Sequence, residues 1–96
     1  MMVVWSDRAL RSLAAIHSYI SRDSEERAHQ VIDRILRRGD QLGAFPLSGR
    51  ISRITTRRNV REIVEEPYRI IYRVAGQKVE VIEVLHVARG PRKKKP

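Results

Sequence analysis

Residues 68–89 read YRIIYRVAGQKVEVIEVLHVAR, two apolar-rich runs about a single glycine. Gly76-Gln77 suits a two-residue hairpin loop whose first central position needs positive φ. That loop sets a register: Val74 opposite Val79, Arg73 opposite Glu80, Tyr72 opposite Val81 and Ile71 opposite Ile82. Side chains alternate along a strand, so Tyr68, Ile70, Tyr72 and Val74 share a face with Val79, Val81 and Leu85. This is the core face, and Glu83 is its one misfit. Arg69, Ile71 and Arg73 share the other face with Glu80, Ile82, Val84 and His86. Arg73 and Glu80 read as a cross-strand charge pair that stabilises by a few tenths of a kcal/mol. Arg69 faces Val84 in this register and has no carboxylate opposite. One face goes to a core, and the other offers cations and a histidine to an anionic or protein partner.

Upstream of the hairpin the period changes from two to that of a helix. Val3-Val4-Trp5 reads as a short first strand, with Trp5 in the core. Ser6 is an N-cap, with Asp7 in the first turn where the helix dipole favours negative charge. Ala9, Leu13, Ile16 and Ile20 then form one stripe, with Leu10 and His17 beside it, on a helix running to about Arg22. Asp23 or Ser24 caps a second helix with the stripe Ala28, Val31, Ile32, Ile35, Leu36 and Leu42. Gly39 weakens that helix and marks a possible early end. The short link makes the two an antiparallel hairpin. Residues 44–49 form a loop. Residues 50–58 are basic and read either as a strand with a mobile turn at Thr55–Arg58 or as a solvated basic loop. Val60–Val64 is a further strand, stopped near Pro67. Helices grouped before strands define an α+β class: an N-terminal strand, then a helix hairpin packed on one face of a small antiparallel sheet. Residues 1–90 are read as one domain and 91–96 as a basic, flexible tail.

Size and charge narrow the function. Ninety-six residues allow one modest core, so a shallow groove or flat binding face is expected and a deep cofactor cavity is not. No glycine-rich phosphate loop follows a strand, and no cofactor is expected. The chain has no cysteine. Its three histidines, His17, His29 and His86, lie far apart in sequence without ligand-like spacing, so no metal site is expected. The apolar opening is too short for a signal peptide or a membrane span, which leaves a cytoplasmic protein. Net charge is +9 and unevenly placed. Residues 1–48 carry 7 Lys/Arg against 6 Asp/Glu, whereas residues 49–96 carry 13 against 5. A nearly neutral scaffold precedes a cationic surface, and the surface calls for an anionic partner.

Four segments carry a family resemblance: WSDRALRSLAAIHSYI at 5–20, FPLSGR at 45–50, NVREIV at 59–64, and the YRIIYRV and VLHVAR of the final hairpin. In this order the chain resembles the RelE/ParE superfamily, the toxins of type II toxin–antitoxin pairs. The resemblance implies the α+β fold above and toxicity held in check by a cognate antitoxin in a hetero-oligomer, and the cationic second half calls for that antitoxin to be acidic.

The superfamily divides on mechanism. ParE-like members resemble inhibitors of DNA gyrase, and RelE-like members resemble ribosome-dependent endoribonucleases acting on messenger RNA. Cleavage of the RelE kind drives a 2′-OH onto the adjacent phosphate and needs a base, an acid and cations for the crowded phosphorane. Arg69 and Arg89 match the two arginines of the RelE pattern. The lysine pair of that pattern falls on Val60 and Glu62 and is absent. Arg61 is a partial replacement, and His86 is the remaining proton-transfer candidate. The resemblance therefore favours the ParE-like reading, with Arg69, Arg89, Arg92, Lys93, Lys94 and Lys95 gripping the target. The nuclease alternative would use Arg61, Arg69, His86 and Arg89.

Overall fold

Ser6 starts the first helix as its sequence position predicts: its Oγ accepts the Ala9 amide at 3.0 Å. A computed structural model describes residues 1–53 and 59–87. In chain order these form β1 (Met2–Trp5), α1 (Asp7–Ser21), α2 (Glu25–Asp40), a short 3-10 turn (Gln41–Gly43), β2 (Arg50–Ile51), β3 (Val60–Glu65), β4 (Tyr68–Ala75) and β5 (Lys78–His86). Ser24 caps α2, accepting the Arg27 amide at 3.1 Å. The five strands make one sheet in the order β1-β5-β4-β3-β2. Three of its four pairings are antiparallel, and β1 runs parallel to β5. The helix hairpin covers one face. Ala9 and Leu13 of α1 and Val31 and Ile35 of α2 pack with Ile63, Tyr68, Ile70, Tyr72, Val79, Val81 and Val84 of the sheet.

α2 ends at Asp40, one residue past Gly39, close to the early end expected there and before Leu42 of its apolar stripe. The role of Gly39 is steric: a Cβ there would sit 2.5 Å from Cζ2 of Trp5. The missing side chain lets the indole of β1 lie against the helix.

The hairpin turn has its expected form. Gly76 has φ +64°, and Val74, Arg73 and Tyr72 face Val79, Glu80 and Val81. Beyond Tyr72 the register departs from expectation. Ile71 pairs with Glu83, not Ile82, because β5 carries a bulge there. One extra residue reverses every later side chain. Val84, expected on the open face, is buried in the helix-side core, and His86 moves to that side with it. Leu85, expected in the core, stands opposite Arg69. The misfit of Glu83 is resolved by the same slip, and its carboxylate meets Arg8 of α1 at 3.7 Å.

The capping serine of α1 and a serine within it bond to the backbone at the bulge. Ser6 Oγ donates to the Ile82 carbonyl at 2.9 Å. Ser12 Oγ accepts the Val84 amide at 3.4 Å. Buried backbone groups need such partners wherever a ladder is interrupted.

Of the basic stretch at 50–58, only Arg50 and Ile51 form a strand among the described residues. The expected turn at Thr55–Arg58 and the expected tail at 91–96 lie outside the described residues. Among the described residues, no helix is long and apolar enough to cross a membrane.

Candidate functional site

Glu62 lies on the sheet face turned away from the helices. On β3 it stands between Ile71 of β4 and Arg50 of β2. The residue is 1% exposed. A buried carboxylate is tolerable only when paired and hydrogen-bonded, and Glu62 is both. Arg50 donates to Oε2 from Nε at 3.0 Å and from Nη2 at 2.8 Å. Ser52 Oγ donates to Oε1 at 3.1 Å. Arg69 brings its Nε to 3.7 Å from Oε2.

The sequence reading left Arg69 without a carboxylate. It has one, but a strand away on β3 and diagonal to it, not across the β4–β5 hairpin. The contact is charge attraction without a directed bond: Arg69 Nε is buried and has no hydrogen-bond partner. Also on this face, Arg73 and Glu80 make the expected cross-strand pair at 2.8 Å.

Of the residues expected to cooperate in RNA cleavage, the three that are described, Arg61, Arg69 and His86, do not share a face of the sheet. Arg61 pairs with Tyr72 and so projects toward the helices. Its Nη1 donates to the Gly49 carbonyl at 2.7 Å. The hydroxyl of Tyr72 accepts the Gly49 amide and donates to the Pro46 carbonyl, each at 2.9 Å. These bonds are the structural purpose of the 45–50 segment: they pin it to the sheet. His86 stands opposite Tyr68, its ring edge-on to the tyrosine ring at 5.5 Å. Arg61 and His86 thus lie on the helix side of the sheet, and Arg69 on the other. Arg89, Arg92, Lys93, Lys94 and Lys95 lie outside the described residues, so Arg69 is the expected target-binding residue whose surroundings are known.

On the helix side, an open groove of about 1040 Å³ runs between the hairpin and the end of the sheet. Ile16, Ile20 and Val84 give it apolar walls, and Arg27 and Arg34 add positive charge. This matches the expectation of a shallow groove in a small domain.

Two constellations escaped the sequence reading. The first is Arg50–Glu62–Ser52, which follows once residues 50–52 are paired antiparallel with 60–62. The second is at the turn of the helix hairpin. His17 and His29, far apart in sequence, stack with ring centroids 5.2 Å apart. They are equally distant in sequence from Asp23 in the link, so folding the hairpin superposes them. Glu25 completes this group, which corrects the expectation of dispersed histidines.

Comparison with known proteins agrees with this architecture. The family described as "ParE toxin of type II toxin-antitoxin system, parDE" matches residues 3–91. The chain belongs to that family. It is 40% identical over 84 residues to "Putative toxin Y4kP" of Sinorhizobium fredii (strain NBRC 101917 / NGR234), covering 85% of this chain and 83% of the relative. It is 38% identical over 87 residues to toxin RelE2 of Caulobacter vibrioides (strain ATCC 19089 / CIP 103742 / CB 15), covering 91% and 96%. Among solved structures, the chromosomal ParDE toxin–antitoxin system from P. aeruginosa superposes with a TM-score of 0.78 at 25% identity, over 91% of this chain and 96% of that one. The RelBE2 toxin–antitoxin complex from Mycobacterium tuberculosis superposes with a TM-score of 0.68 at 18% identity, over 88% and 95%, a likeness of fold alone.

Proposed function

We propose that this toxin acts by binding and inhibiting DNA gyrase in the cytoplasm, without cutting RNA, and that a cognate acidic antitoxin neutralises it. The buried carboxylate of Glu62 carries the choice of mechanism. It occupies a position where the nuclease pattern places a lysine, and it draws Arg50 and Arg69 onto itself. Phosphorane stabilisation needs positive charge aimed at the reacting phosphate. A carboxylate at this position repels a scissile phosphate and takes up the arginines that would otherwise face it. The separation of Arg61 and His86 from Arg69 supports the same reading.

The antitoxin proposal rests on charge, on the groove and on the family. Residues 49–96 carry 13 Lys/Arg against 5 Asp/Glu, and a basic partner would be repelled. The groove between Ile16, Ile20 and Val84 suits apolar anchors, with acidic residues meeting Arg27 and Arg34. The solved ParDE and RelBE2 neighbours are toxin–antitoxin systems.

Two assays on purified protein separate the mechanisms. Gyrase supercoiling should be inhibited, and the Arg69→Ala variant should inhibit less. Messenger RNA in translating ribosomes should stay intact. Codon-positioned cuts that vanish in Arg69→Ala would overturn the gyrase reading and establish the nuclease.

A further inference from the structure

The turn of the helix hairpin holds a group of side chains that neither the core nor the sheet site uses. His17 lies in the last third of α1. Glu25 opens α2, and His29 follows it by four residues, on the same helix face. The ligand-capable atoms of the three all lie within 4.8 Å of one another. His17 is half-buried, and Glu25 and His29 are exposed. Among the described residues, none of the three makes a hydrogen bond or ion pair, and the imidazoles stack on each other at an interplanar angle of 25°.

We propose that His17, Glu25 and His29 form a binding site for a first-row divalent transition metal, with zinc as its natural occupant. The donor set is two imidazole nitrogens and one carboxylate oxygen. Imidazole suits zinc, nickel, copper and cobalt, whereas magnesium and calcium prefer all-oxygen sites. Zinc holds nitrogen and oxygen ligands at about 2.0–2.2 Å in a tetrahedron, which sets neighbouring donors about 3.4 Å apart. Closing from the present separation takes side-chain rotation alone. The backbone is already fixed, because Ser24 caps α2 and the amides of Asp23 and Ser24 both donate to the Ile20 carbonyl, at 3.0 and 3.1 Å. Water completes the fourth position. The ion is a clip joining α1 to α2, and it lies outside the groove between hairpin and sheet, whose walls include none of the three ligands. The site can therefore be filled with the groove empty or occupied.

The test uses the full chain, free of any histidine tag, with zinc chloride and magnesium chloride as probes in calorimetry and thermal melts. One zinc should bind per chain. At a free concentration ten times its dissociation constant, zinc should raise the melting midpoint by roughly 6–11 °C, and magnesium should not. His29→Ala and Glu25→Gln, both at exposed positions, should keep the apo melting midpoint and weaken zinc at least tenfold. His86→Ala is the control and should bind as wild type. Cobalt should give the visible absorption of a tetrahedral ion, lost in His29→Ala. Absence of zinc binding, or zinc binding of equal strength in His29→Ala, would overturn the proposal and mark any uptake as adventitious.

Discussion

At the scale of single residues, Glu62 governs the open face of the sheet. Its carboxylate is desolvated and accepts from Arg50 and Ser52 while attracting Arg69. Removing one partner of such a buried arrangement costs more than the pair contributes, since it leaves charge without compensation. Glu62→Ala should lower unfolding stability by about 3–5 kcal/mol, read from urea midpoints at unchanged slope. Arg50→Ala should cost less, because Arg50 reaches solvent and would leave Arg69 and Ser52 beside the carboxylate. Equal, small effects from both would show that Glu62 is not the centre of the group. The presence of Glu62 was legible in the sequence as a departure from the nuclease pattern. Its burial was not, because that depends on β2, a two-residue strand too short to carry a period of its own.

At the scale of elements, local signals located both helices closely. Ser6 and Ser24 are caps, and the apolar stripes begin where those caps predict. The strand register was legible only as far as the turn controls it. From Gly76 back to Tyr72 the expected pairs hold. The bulge at Ile82 then depends on Ser6 and Ser12 of α1, contacts that hairpin periodicity does not contain. The same bulge carries His86 to the helix side, away from Arg69.

Gly39 was legible only as a weak helix former near the end of α2, because propensity does not see the indole that needs the space. Gly39→Ala should test this directly. Propensity alone predicts a gain of about 1 kcal/mol, whereas a Cβ at 2.5 Å from Trp5 predicts net loss. The variant should melt below wild type, and Trp5→Leu should abolish the penalty in a double-mutant cycle. A rise in melting temperature for Gly39→Ala alone would show that the indole yields freely.

At the scale of the whole molecule, the two halves of the chain divide the labour that their charges suggest. The near-neutral first half supplies the hairpin, and the basic second half supplies most of the sheet and the arginines of its open face. The fold class could be read from helices preceding strands. The parallel placement of β1 could not, since a four-residue run carries no directional signal. That placement has a consequence for how the toxin is made. β1 precedes its partner β5 by the whole helix hairpin and three strands, and the Ser6–Ile82 bond that secures their junction spans 76 residues. The helix hairpin rests on local contacts and can form early, but the sheet edge stays open until β5 has left the ribosome, because distant pairings carry the larger loop-closure cost. Ribosome-bound chains arrested with β5 still inside the exit tunnel should be readily cut by protease, and those with β5 clear of it should resist. Equal resistance in the two would mean that the strand made first does not wait for the strand made last. The expected difference ties the closed sheet edge, and with it the folded toxin, to the synthesis of β5.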